Sequence, residues 1–130
     1  MQDKVLYLIR GVPGSGKTTL GKQLIKGTDG VIFSADDYFT ASDGFYQFDP
    51  SRLYEAHRCC QLDCECAMIT GINPVVVANV FHKRIYMEPY IEYAKENGYH
   101  VVEICIKSDF KNIHGCPEDK VELFKETFEY

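Results

Sequence analysis

A chain of 130 residues is long enough for one compact domain and too short for two. With 45% hydrophobic and 25% charged residues it has the balance of an ordinary globular protein, and its apolar runs are strand-sized, which excludes a membrane-spanning helix. A net charge of −5 and only four arginines (Arg10, Arg52, Arg58 and Arg84) argue against a long nucleic-acid footprint but leave room for one phosphate or one strand end.

Met1 to Lys4 leads straight into a short strand-like run without the long apolar core of a signal peptide, so a cytoplasmic location is expected. Lys4 to Ile9 reads as a buried strand, and a glycine-rich turn follows Arg10. Lys17 to Lys26 has a helical pattern, with Leu20, Leu24 and Ile25 on one side and Gly27 just past the end. Val31 to Ser34 reads as a second strand, followed by the acidic pair Asp36 and Asp37, and residues 40–49 read as a loop.

Asp49 and Pro50 form a helix start, a capping carboxylate before a proline at the first helical position. That helix carries Leu53, Ala56, Cys60, Cys64 and Ala67 at helical spacing and stops at Gly71. Four of the six cysteines lie in it. Cys60 and Cys64 share a face while Cys59 and Cys66 point elsewhere, and no paired Cys-x-x-Cys knuckle exists. They read as small hydrophobes in a reducing compartment rather than as zinc ligands.

Pro74 leads into a third strand, Val75 to Ala78. A helix is expected from Pro89 to Asn97, a strand from Tyr99 to Ile106, and a last helix from Cys116, with Val121, Phe124 and Phe128 inward. Strands alternating with helices predict a parallel sheet with right-handed crossovers, an α/β fold. Ligands in such sheets sit at the carboxyl ends of the strands, a rim that here carries Gly11 to Thr18, Asp36 with Asp37, and Asn79.

Gly11 to Thr18 fits the pattern G-x-x-x-x-G-K-[ST] without a mismatch, between an expected strand and an expected helix. Gly14 and Gly16 allow positive φ and close approach, and successive N–H groups then form a concavity for an anion at a helix N-terminus. Gly11, Val12, Pro13, Gly14, Ser15, Gly16, Lys17, Thr18 and Thr19 are therefore expected to hold the phosphates of ATP or GTP. Lys17 should reach the β- and γ-phosphates and the Thr18 hydroxyl should ligate Mg²⁺.

Asp36, on the same rim, is the candidate carboxylate for accepting an acceptor hydroxyl's proton; the plainer alternative is that Asp36 or Asp37 caps a turn. His57 lies on the long helix one turn after Leu53 and reads as structural.

These pieces, LYLIRGVPGSGKTTL, VIFSADDYF, GFYQFDP, LYEAH, MEPYIEYAKENGYHV and NIHG, resemble in the same order the P-loop kinase-like domain of the NEDD-four-binding-protein-two-like proteins, a group similar to phage-type polynucleotide 5′-hydroxyl kinases. The resemblance covers nearly the whole chain. It implies a single P-loop NTPase domain over residues 1–130, a three-layer sandwich with about four to five parallel strands in the order 2-3-1-4. It also implies ATP and Mg²⁺ as cofactors and transfer of a γ-phosphoryl to a 5′-hydroxyl, with Asp36 as general base.

The chain departs from the family twice. Where the family has Asp-Asn-Thr-Asn after the third strand, this sequence has Ala78-Asn79-Val80-Phe81, and a basic lid segment of roughly ten residues is missing before NIHG, its arginine replaced by Lys111. An arginine spreads its charge over a bidentate fork, whereas lysine is a point charge, so Lys111 or Arg84 would have to carry that role. Three functions stay open: a nucleic-acid 5′-hydroxyl kinase, a kinase of a small hydroxylated metabolite, and a nucleotide-binding module without transfer.

Overall fold

The computed structural model of the chain describes residues 3–12, 15–39 and 49–106. The expected helix from Cys116, most of the 40–49 loop, Pro13, Gly14 and Lys111 lie outside the described residues.

Four strands form one parallel sheet: β1 (Lys4–Arg10), β2 (Val31–Phe33), β3 (Val75–Asn79) and β4 (Tyr99–Cys105). Their order is β2-β3-β1-β4, as the resemblance implied. Helices α1 (Lys17–Ile25), α2 (Leu53–Thr70) and α3 (Glu88–Glu96) make the crossovers. Each boundary falls within a few residues of its sequence expectation. The largest change is at α2, where Pro50–Arg52 forms a 3-10 turn before the helix proper. Asp49 still caps this start, accepting the Ser51 N–H at 3.0 Å and the Ser51 hydroxyl at 2.7 Å.

Side chains on a strand alternate between faces, and that alternation builds three layers. Leu6, Leu8, Val75 and Val77 point to one face, where Cys60, Cys64, Ala67 and Met68 of α2 and Tyr90 and Ala94 of α3 cover them. Ile9, Val76 and Ala78 point to the other, against Leu20, Leu24 and Ile25 of α1. The shared face of Cys60 and Cys64 is buried in the core as expected, whereas Cys59 and Cys66 are exposed and add nothing to it. Among the described residues no helix is long and apolar enough to cross a membrane.

The same alternation, carried to the carboxyl ends of the strands, changes the chemistry. Arg10 follows Leu6 and Leu8 on the α2–α3 face, and its register partner Asn79 follows Val75 and Val77. The hydrophobic layer therefore closes in polar groups directly beneath the rim.

Gly30 sits where β2 enters beside β3. A Cβ there would stand 2.6 Å from the Pro74 carbonyl oxygen, which accepts the Val31 N–H at 3.1 Å. Backbone cannot yield as a flexible side chain can, so Gly30→Ala is expected to destabilise the fold by about 1–3 kcal/mol, read from the midpoint of urea unfolding.

Candidate active site

Gly11 emerges from β1 between its two neighbours. Its N–H donates to the Val80 carbonyl at 3.3 Å on the β3 side, while on the β4 side the Ile106 N–H donates to the Arg10 carbonyl at 2.8 Å. A Cβ at Gly11 would lie 2.5 Å from Ser15 Oγ and 3.1 Å from the Ile106 carbonyl, so only glycine fits. Gly16, with φ 93°, takes the left-handed conformation just before α1.

Ser15 is 1% exposed, and its buried hydroxyl has no hydrogen-bond partner among the described residues, an expensive arrangement for a polar atom. The Lys17 Nζ donates to the Gly11 and Val12 carbonyls, both at 3.0 Å. Desolvation lowers the Lys17 amine to about 8, with the Asp36 charge opposing the shift. A half-buried ammonium resting on carbonyls, an orphaned hydroxyl and a helix N-terminus together fit a polyphosphate. Thr18 and Thr19 are exposed on the first turn of α1, where the Thr18 hydroxyl is accessible to a cation bound beside such phosphates.

Asp36 lies on a 3-10 turn, Ala35–Phe39, that follows β2. Asn79 holds this turn. Its Oδ1 accepts the Ala35 N–H at 2.8 Å, and its Nδ2 donates to Cys60 Sγ at 3.6 Å, which ties β3, the turn and α2 together. Ala35 and Phe39 pack on Ala56 of α2. The Tyr38 hydroxyl donates to Glu55 at 2.6 Å and accepts from Arg52 at 3.4 Å. So anchored, Asp36 lies close enough to Lys17 for its charge to favour the ammonium.

His57 also lies in the field of Asp36. Desolvation lowers the His57 imidazole below its ordinary value, Asp36 opposes this, and His82 adds to it. The sequence reading treated His57 as structural; helical spacing alone could not show that α2 brings it beside the rim. Asn79, expected only as a surviving rim residue, proves to be the staple for the Asp36 turn.

Sequence reasoning missed Arg10. It is fully buried, donates Nε and Nη2 to the Phe81 carbonyl at 3.2 and 2.8 Å, and donates Nη1 to Glu103 at 3.2 Å. Arg84 grips the same carboxylate with two bonds of 2.8 Å. The Arg84 and Arg10 hydrogen bonds and charges hold Glu103 below the usual carboxylate range. The only signal in the sequence was an arginine at an inward position after Leu6 and Leu8. Arg84 is thus engaged with Glu103, which draws its guanidinium toward β4. Among the described residues no group of three His, Cys, Asp or Glu side chains is placed to hold a metal ion.

The fold is shared with solved P-loop kinases. A chain in a solved RNA repair complex of Pnkp1, Rnl and Hen1 superposes with a TM-score of 0.68 at 13% identity, over 98% of this chain and 45% of that one. A gluconokinase from Sinorhizobium meliloti 1021 superposes with a TM-score of 0.65 at 17% identity, over 100% of this chain and 78% of that one. The class is therefore a P-loop NTPase-type α/β protein.

Within that class the chain is a homologue of a segment of human NEDD4-binding protein 2, 36% identical over 135 residues that cover 96% of this chain. It spans only 8% of that protein's length. No family model matches the sequence.

Asn79→Ala leaves the buried Ala35 N–H without its acceptor. The expected cost is about 1–3 kcal/mol in urea unfolding, together with faster hydrogen exchange at the Ala35 amide.

Proposed function

We propose that the chain binds ATP with Mg²⁺ and transfers the γ-phosphoryl group to a hydroxyl acceptor, best read as the 5′-hydroxyl of a nucleic acid. Residues 1–130 act as one domain in this reading, in the cytoplasm. The observation that carries it is the Lys17 ammonium, held by the Gly11 and Val12 carbonyls at the start of α1 and within the field of Asp36. The likeness to a chain of an RNA repair complex supports the choice of acceptor.

In this mechanism the backbone N–H groups at the start of α1, from Gly16 to Thr19, cradle the phosphates and Lys17 neutralises charge on the β- and γ-groups. The Thr18 hydroxyl would hold Mg²⁺, and the ion would supply charge neutralisation. Asp36 takes the proton of the acceptor hydroxyl as its oxygen bonds to the γ-phosphorus and the bridging bond to ADP breaks. Water then carries that proton away from Asp36. Lys111 is assigned the lid's cationic role on the transferring group.

Incubation with γ-labelled ATP and Mg²⁺, offering 5′-hydroxyl oligonucleotides beside a panel of hydroxylated metabolites, tests this. Label should appear on the oligonucleotide and fall about 10²–10⁴-fold in Asp36→Asn, with ATP affinity unchanged. Label on a metabolite instead would move the acceptor to the small-molecule class. Tight ATP binding with no label would favour a binding module, a reading supported by Ala78 packing into the α1-side core, so that the β3 exit brings no carboxylate to the rim. Undiminished ATP binding in Lys17→Ala would refute the phosphate-loop assignment itself.

The lowered Lys17 amine makes binding pH-dependent. Its ammonium is present below pH 8 and lost as pH rises through about 8, while bound phosphate favours the charged form. ATP affinity, measured by calorimetry at constant ionic strength, should be level below about pH 7 and weaken above pH 8, approaching tenfold per unit. Lys17→Ala should abolish that slope.

A further inference from the structure

Between two buried residues, Phe81 and Met87, the chain leaves β3 in a short turn that stands out from the surface. The anchoring on either side is strong. Arg10 binds the Phe81 carbonyl, and the Phe81 ring meets Tyr90 edge-on with centroids 5.6 Å apart. Arg84 is bidentate on Glu103. The Tyr86 and Met87 N–H groups close the 3-10 turn Arg84–Tyr86 by donating to the Lys83 carbonyl at 3.2 Å and the Arg84 carbonyl at 3.0 Å.

Despite this bracing, Ile85 is 63% and Tyr86 53% exposed. The His82 ring lies 5.4 Å from that of Tyr86, tilted by 49°. A flexible loop can expose apolar side chains incidentally. Here a hydrogen-bonded turn holds Ile85 and Tyr86 to solvent, with the half-buried His82 ring beside Tyr86, which gives the fold little hydrophobic benefit.

The turn borders the site. Gly11 of the phosphate loop is bonded to Val80, two residues before His82. The charge of His82 is felt at His57, which in turn lies in the field of Asp36. The turn thus leaves the rim beside the phosphate loop, with Arg84 reaching toward Glu103 of β4. Lys83 and Arg84 add basic character to the same turn.

Flat rings and an aliphatic side chain beside basic groups suit a nucleobase, because stacking on an aromatic face is sequence-tolerant and needs no broad positive surface. That suits a chain of net charge −5. We propose that His82, Ile85 and Tyr86 form a stacking platform for the terminal base of a single-stranded nucleic acid whose 5′-hydroxyl is presented to Asp36. This rests on the reading of the acceptor given above and names the residues that would recognise it.

The test uses the full chain and 5′-hydroxyl oligonucleotides, as RNA and as DNA, with 2-aminopurine at the 5′ end and a dye at the 3′ end. Binding should quench the 2-aminopurine with either sugar. Tyr86→Ala should weaken oligonucleotide binding, read by anisotropy, about tenfold to a hundredfold, and Tyr86→Phe should restore it because the ring is what matters. In the labelling assay Tyr86→Ala should raise the oligonucleotide KM while leaving kcat and ATP affinity unchanged. An oligonucleotide with an abasic 5′ end should lose the same factor on the native protein and no longer distinguish it from Tyr86→Ala.

Phosphorylation with an unaltered KM in Tyr86→Ala would overturn the platform and leave the kinase reading standing. Ring-dependent quenching without phosphate transfer would uphold the platform and remove the transfer. An oligonucleotide that does not bind at all, or abasic and Tyr86→Ala losses that simply add, would overturn the platform.

Discussion

A guanidinium buried under a sheet's edge is costly unless acceptors meet it, and Arg10 meets them in the Phe81 carbonyl and the Glu103 carboxylate. This one cluster joins the ends of three strands. β1 contributes Arg10, β4 contributes Glu103, and the segment leaving β3 contributes Phe81. Removing any partner would strand charge or a donor in a region of low dielectric. Phe81, at φ 47°, adopts a backbone conformation uncommon for a non-glycine residue, and the Arg10 bonds to its own carbonyl help to hold it. The phosphate loop begins at the very next residue after Arg10, so the cluster also sets the level from which Gly11 departs.

Beside this brace, Asn79 performs the corresponding task for the β2 side. Its amide reaches the start of the Asp36 turn and the Cys60 sulfur in one span. Arg10 and Asn79 are register partners on adjacent strands, so a single polar row at the top of the α2–α3 core serves both halves of the rim. Helix dipole, orphaned Ser15 hydroxyl and desolvated Lys17 then concentrate positive character at the loop, while Asp36 supplies the opposing carboxylate. Charge in a site of this kind is separated in advance, which reduces the reorganisation required when phosphate binds.

Much of the fold was legible because its signals are local. Strand-sized apolar runs such as Val75 to Ala78 mark buried parallel strands, and Leu20, Leu24 and Ile25 mark the face that α1 lays on the sheet. The α2 start was misplaced by a few residues because a capped 3-10 turn and a capped α-helix share the same Asp-Pro signature. The strand order had no local signal. It came through the resemblance, since alternating strands and helices are compatible with more than one order.

By itself the sequence marked Gly11 to Thr18 as the candidate phosphate loop, because every requirement of that motif is written in contiguous residues: glycines where the backbone must bend, a lysine and a hydroxyl where the helix begins. It also determined Asp36 as a rim carboxylate, through its place just after a strand. Only the tertiary structure decided what surrounds them: that Asn79 is a staple, that Arg10 and Glu103 brace the β3 exit, that Arg84 is drawn to Glu103, and that His57 lies in the field of Asp36. Those relations join residues up to 93 positions apart, and a hydrogen bond over that span exists only once the crossovers have brought the strand ends together.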